Sequence, residues 1–167
     1  ILLENVNFNF FKEDINFFTK VLKNDFSDFG IKIIDSKVFF RNFEKEVLFI
    51  NKIKKMKYYY DDKILQNILY AENEIFKFPY SLTLYEDISK KKIFSKFNLN
   101  ILKLQIENEL DYAGDFKKGL INSIYNKRKS RVDYKFNKNK LYLNFFDKSL
   151  ESKFNYKANV NFNPFYT

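Results

Sequence analysis

The chain reads as an α+β domain, a mostly antiparallel sheet with about three helices packed on one face. Three observations predict this. Apolar residues recur at spacings of three and four in three separate stretches. About six or seven short runs are rich in β-branched and aromatic residues, several of them alternating. Short polar turns separate neighbouring runs, as in hairpins.

The first helix is expected over residues 15–29. Ile15, Phe18, Leu22, Phe26 and Phe29 form its stripe, with Lys12, Asn16, Lys20, Lys23 and Asn24 between them. Gly30 follows as a C-terminal stop. Strand-like runs come next, "IKII", "KVFF" and "EVLFI", parted by Asp35-Ser36 and Asn42. "NKIKKMKYYY" then mixes basic and aromatic residues and ends at Asp61-Asp62. Two acids there suit a helix N-terminus, where free backbone donors and the helix dipole favour negative charge. The second helix carries Ile64, Leu65, Ile68, Leu69 and Ile75 on one face, and Pro79 ends it.

"SLTLYE" reads as a further strand. After the lysine run at 90–92, Leu102, Leu104 and Ile106 alternate with Ile101, Lys103, Gln105 and Glu107. Leu110, Ala113, Phe116, Leu120 and Ile124 make the stripe of the third helix. Asp111 and Asp115 lie near its start and Lys127 to Lys129 at its end, a polarity that complements the macrodipole. "RVDYKF" and "LYLNFF" form a hairpin around the polar loop "NKNK". A short helix or turn is expected over residues 148–154. No internal repeat and no Gly/Ser linker is visible, so residues 1–167 are expected to form one domain. The sheet's second face would be free for a partner.

Composition narrows the chemistry. The chain has 22 Phe, 12 Tyr and no Trp, and Phe, Tyr, Lys, Asn and Ile together exceed half of it. All five can be coded with A and T alone, which points to an AT-rich genome such as an organelle's. The aromatic excess is therefore not itself a sign of base stacking. An Ile at position 1 fits an alternative AT-rich start codon, a processed chain or a truncated one. The N-terminal "ILLENVNFNFFKED" has neither the arginine-rich character of a transit peptide nor the basic start of a signal peptide. No run of about 18 apolar residues is present, so no transmembrane segment is expected.

With no Cys and no His, disulfides, thiolate metal sites, a histidine base and a histidine-dependent serine triad are all excluded. Gly30, Gly114 and Gly119 stand apart and form no phosphate loop. Asp61 and Asp62 read as a cap and not as metal ligands. No catalytic residue, metal site, cofactor or small-molecule substrate is expected.

A net charge of +9 favours a phosphate polymer or an anionic surface as partner. Four basic clusters are the candidate RNA contacts: Lys52, Lys54, Lys55 and Lys57; Lys90, Lys91, Lys92 and Lys96; Lys127, Arg128, Lys129 and Arg131; and Lys138 and Lys140 with Lys135. Each is expected in a loop or at an element's end, where a long side chain reaches a phosphate without disturbing a core. Tyr58 to Tyr60, Phe94, Phe97 and Tyr134 lie beside three of them, as cations and rings do on RNA-binding surfaces. The bland alternative for Lys90 to Lys96 is a charged segment that keeps a sheet edge soluble. For Lys127 to Arg131 it is dipole complementation at a helix end.

From about Leu65 to Phe136 the order of segments resembles the large-subunit ribosomal protein family that sits beside 5S rRNA, the L-five family. The stretches are "ILQNILYAENEIFKFP", "SKKKIFSKFNLN", "ILKLQIEN", "ELDYAGDFKKGLINSI" and "RVDYKF". Lys91, Lys92, Ile93, Phe97 and Leu99 take the family's loop-and-strand places. Phe116, Leu120 and Ile121 take its helix core, and Arg131, Asp133 and Phe136 its Arg-x-Asp end. "EVLFIN" matches a first strand and "NPFY" a closing Pro-Phe. The family's glycine-rich segment after the Arg-x-Asp turn is missing, and the spacing from Pro79 to Lys91 is longer. The resemblance implies that Lys90 to Lys96 form a loop facing the tRNA region and that the sheet contacts rRNA.

The expected function is that of a structural constituent of a mitochondrial ribosome, in the matrix. It would bind rRNA and neighbouring ribosomal proteins within a large hetero-complex. The alternative is a matrix-side accessory subunit of a respiratory complex or ATP synthase, held through exposed Phe and Tyr.

Overall fold

The computed structural model describes residues 1–11, 14, 30–147, 155–162 and 165–166, and these are nearly all strand. The chain divides into two compact units, Ile1–Glu86 and Asp87–Thr167.

In the first unit, β1 (Leu2–Glu4) and β2 (Asn7–Phe10) run parallel to β3 (Ile31–Arg41) along one edge. Then β3, β4 (Val47–Asp61), β5 (Gln66–Ile75) and β6 (Phe78–Asp87) pair as an antiparallel meander. "IKII" and "KVFF" are one strand whose inward positions change phase, from Ile31 and Ile33 to Ser36, Val38 and Phe40. Asp35, at φ 46°, absorbs the shift. Across from it, Lys54 is an extra residue between Ile53 and Lys55 in the pairing of β4 with β5. Asn5, at φ 56°, marks the break between β1 and β2. Ser36 ties this bend together, because its Oγ accepts the Val6 N–H at 3.1 Å and donates to the Ile34 carbonyl at 2.7 Å. A bulge matched across neighbouring strands keeps each apolar set on one face.

That face is buried. Ile33, Met56, Ala71 and Leu82 form one cross-strand row, and Ser36, Ile53, Asn73 and Tyr80 the next. Ile33, Ile53, Tyr58 and Ala71 are 6%, 4%, 3% and 1% exposed. Within it, Asn73 Nδ2 donates to Tyr80 Oη at 3.2 Å, which donates to Asn51 Oδ1 at 3.0 Å.

The second unit continues as β7 (Lys92–Leu99), a 3-10 turn (Asn100–Leu102), β8 (Leu104–Asp111), β9 (Lys117–Tyr125), β10 (Arg128–Phe136), β11 (Lys140–Asp147), β12 (Asn155–Phe162) and β13 (Phe165–Tyr166). Each strand pairs antiparallel with the next. Ile93, Leu110, Gly119, Tyr134, Leu143 and Ala158 form a row on its more apolar face. The Tyr134 ring lies over Gly119, where a Cβ would come within 2.0 Å of Cζ. Its hydroxyl donates to Asn108 Oδ1 at 2.7 Å, and burial raises its pKa. Among the described residues of this unit, Asp87 alone is buried.

The expected α+β class is thus corrected to an all-β one. Residues 64–75 are a turn and β5, and residues 110–124 are the end of β8, a loop and β9. A spacing of four keeps to one side of a strand as well as of a helix, a spacing of three puts residues on both partly covered faces, and pairing on both sides of each strand overrides the helical reading. The acids do cap backbone, but at hairpin turns. Asp61 Oδ1 accepts the Lys63 N–H and Asp111 Oδ1 the Ala113 N–H, each at 2.9 Å. The 15–29 helix and the 148–154 element fall outside the described residues. The "RVDYKF"/"LYLNFF" hairpin is present as β10 and β11, with Phe136 opposite Leu141. The alternation from Leu102 to Ile106 is interrupted, since Leu102 lies in the 3-10 turn and Lys103 is left-handed at φ 50°. The two stretches that the ribosomal resemblance placed in helices are strands here.

A repeat invisible in the sequence also emerges. Asp61, Asp87, Asp111 and Asn137, spaced 26, 24 and 26 residues apart, each accept backbone N–H groups of the turn that follows. Each intervening turn has a left-handed lysine, Lys77, Lys103 and Lys127, preceded in the first and last by a left-handed Phe76 and Asn126. Single turn residues carry this two-strand period, so no motif announces it.

Candidate nucleic-acid interface

Lys52, Lys54, Lys55 and Lys57 lie inside β4, where a loop or an element's end was expected. The register places Lys57 opposite Lys32 and Lys52 opposite Lys37 on β3. Like charges directly opposite are unfavourable to a sheet. Glu74 relieves one of them, its Oε1 lying 2.6 Å from Lys52 Nζ. Lys32, Lys37, Lys55 and Lys57 make no ion pair among the described residues. Glu72 stands across from Lys55, but its Oε1 accepts the Tyr70 hydroxyl at 2.8 Å, a hydrogen bond that raises the tyrosine's pKa. Tyr70 is opposite Lys57, and Tyr59, Ile68 and Tyr85 complete the next row. This outward face therefore combines free ammonium groups with tyrosines. Lys32 and Lys37 were missed, although the alternation of "IKII" and "KVFF" already puts them on the polar side.

Lys90, Lys91, Lys92 and Lys96 meet a different fate. The Asp87 carboxylate accepts Lys90 Nζ at 2.8 Å, the Ser89 hydroxyl at 2.6 Å and the Lys90 N–H at 3.1 Å. These bonds, the Lys90 ammonium first, hold the carboxyl down at about 2. Lys91 is the left-handed residue of the turn. Lys92 pairs with Glu109 and Lys96 with Glu107, the latter at 2.9 Å. The hydrogen bonds raise the Lys92 pKa and lower that of Glu107.

Lys127 lies in the two-residue turn between β9 and β10 and not at a helix end. Asn126 and Lys127 both have positive φ, 45° and 69°, the geometry of a type I′ hairpin. Lys127, Arg128 and Lys129 are exposed and make no ion pair among the described residues. Arg131 bonds Asp133 at 2.8 Å, which raises its pKa. Lys138 sits in the β10–β11 turn, where Asn137 Oδ1 accepts the N–H groups of Asn139 and Lys140 at 2.9 Å each. Lys135 Nζ lies 4.7 Å from the centroid of the Tyr142 ring.

Among the described residues, no group of three or more acidic side chains is placed to hold a metal ion, and no helix is long and apolar enough to cross a membrane. No known protein family, curated protein or solved structure matches the chain.

Proposed function

We propose that this protein is a non-enzymatic RNA-binding component of a ribonucleoprotein, namely the ribosome of a mitochondrion, its large subunit being the first place to look. The observation that carries the RNA reading is the outward face of β3–β5. There Lys32, Lys37, Lys55 and Lys57 make no ion pair among the described residues, three of them opposed in register to other lysines, with Tyr59, Tyr70 and Tyr85 beside them. A polyanion laid across this face removes the repulsion, and tyrosine rings offer stacking platforms to single-stranded bases. The ribosomal assignment rests on composition and the sequence resemblance alone.

Binding of the full chain to single-stranded RNA across about 50–300 mM salt tests the reading. Replacing Lys55 and Lys57 by Gln is expected to lower the salt slope by about 1.4, roughly 0.7 for each phosphate no longer neutralised on a single strand. An unchanged slope sinks this face as the RNA contact. In the source extract, co-sedimentation with a ribosomal subunit that RNase abolishes is expected.

One observation favours the second reading, an accessory subunit of a respiratory complex or ATP synthase. Phe43, Leu48 and Phe76 are 78%, 62% and 69% exposed at one end of the first unit, and the neighbouring Phe40 and Phe49 rings stack at 4.2 Å. Such a surface suits a protein neighbour. Co-migration with a membrane complex, indifferent to RNase, would decide for it.

A further inference from the structure

The second unit contains an open groove of about 500 Å³ over β9–β12 that the predicted basic clusters touch only through Lys135. Two cross-strand rows build it. Lys118, Lys135, Tyr142 and Asn159 form one, and Asp133, Asn144 and Lys157 the other. All seven line the cavity.

Its charge is unbalanced in a particular way. Lys118 and Lys135 stand directly opposite each other, and neither they nor Lys157 make an ion pair among the described residues. The one carboxylate present, Asp133, is engaged by Arg131 at 2.8 Å. On the β8 side of Lys118, Asp111 is engaged by the Ala113 N–H. Lys135 is held over the Tyr142 ring, which keeps an ammonium group in the groove lining without neutralising it.

The polar groups are equally specific. Asn144 Oδ1 is buried and has no hydrogen-bond partner among the described residues, and a buried acceptor left unpaired favours a ligand that brings a donor. Asn144 and Asn159 are amides, each able to donate and to accept. A simple anion would take donors from the lysines and the amides but leave the Asn144 acceptor unanswered, whereas an apolar ligand would strand three cations. The volume falls within the range of small-ligand sites.

We infer that this groove binds a nucleoside phosphate, free or as one unit of an RNA strand, with its phosphate on Lys118, Lys135 and Lys157 and its base or sugar on Asn144 and Asn159. The claim uses residues separate from the lysine face of β3–β5, so either can fail alone.

The test is titration of the full-length chain with adenosine 5′-monophosphate, inorganic phosphate and adenosine, followed by amide and side-chain NMR shifts. The monophosphate is expected to bind at least about tenfold more tightly than either fragment. Lys118→Gln with Lys157→Gln, both exposed positions, is expected to weaken it at least about tenfold while leaving the circular dichroism spectrum unchanged. Lys55→Gln with Lys57→Gln should leave it unaffected. Equal affinity for inorganic phosphate, or indifference to the Lys118/Lys157 pair, overturns the inference, as does absence of binding at about 10 mM. A short oligonucleotide that displaces the monophosphate shows that the groove holds a unit of a strand. Failure to displace it shows that the ligand is the free nucleotide.

Discussion

Two lysine-rich stretches of similar composition, Lys52 to Lys57 and Lys90 to Lys96, end in opposite electrostatic states. Around β7 nearly every lysine finds an acid: Asp87 within the same turn for Lys90, and on β8 Glu109, diagonally across, for Lys92 and Glu107, directly opposite, for Lys96. On β4 it supplies more lysine, from Lys32 and Lys37 of β3, and Glu74 answers only Lys52 among the described residues. The lesson is that a basic run in sequence says little about free charge in a sheet, because the neighbour across the ladder lies tens of residues away. The units differ in burial too. The first hides one face, whereas in the second both faces stay at least partly open among the described residues.

The largest expected effect tests that difference in burial. Tyr58→Ala empties a position that is 3% exposed, and a loss of about 3–5 kcal/mol in denaturant unfolding is expected, as for other large buried side chains. Phe145→Ala, at a position 37% exposed in the second unit, is expected to lose no more than about 1 kcal/mol. Equal losses would erase the contrast between the units. Next comes Gly119→Val, which drives a side chain into the Tyr134 ring and displaces its bond to Asn108. Overpacking of this kind costs about 1–3 kcal/mol, and Tyr134→Ala in the same chain should recover part of it.

The lysine contrast is sharpened by RNA binding. Lys92→Gln with Lys96→Gln should change the salt slope far less than the Lys55/Lys57 pair, since their charges are already engaged. A slope that falls equally for both pairs breaks the comparison. Smaller still is an acid effect at the β6–β7 turn. The Asp87 carboxyl is lowered from 3.8 to about 2 in the fold. It therefore contributes stability that is fully present above about pH 4 and is lost as the pH falls through about 2. The stability gap between the native chain and Asp87→Asn should narrow over that window; a constant gap would show that Asp87 acts through its shape alone. The smallest effect is the Lys96–Glu107 coupling, expected at about 0.2–1 kcal/mol in a double-mutant cycle because both side chains are about half exposed.

Some of this is legible in the sequence. The β10–β11 hairpin announces itself through the alternation of Val132, Tyr134 and Phe136 and the polar loop after them. Asp61 reads as a helix cap and Asp111 as a partner of a helix dipole; both carboxylates do accept backbone N–H groups, but at turns between strands, which use the same chemistry as a helix start. The helical readings of 64–75 and 110–124 fail because Ile68, Leu69, Leu120 and Ile124 satisfy both periods when each face of a strand is partly covered. Of the candidate contacts, those on β4 are visible without their β3 neighbours, and Lys118 and Lys157 in the groove carry no local signal at all. The groove is assembled from residues about 40 positions apart, which no local pattern can bring together.

By itself the sequence determined the excess of positive charge, the exclusion of histidine and cysteine chemistry, and the division of β10 into apolar and polar sides. These follow from residue type and from a period of two along the chain. Only the tertiary structure decided between helix and strand in the ambiguous stretches, and which lysines keep an unanswered charge. Both depend on register, a relation between strands that are neighbours in space and distant in sequence.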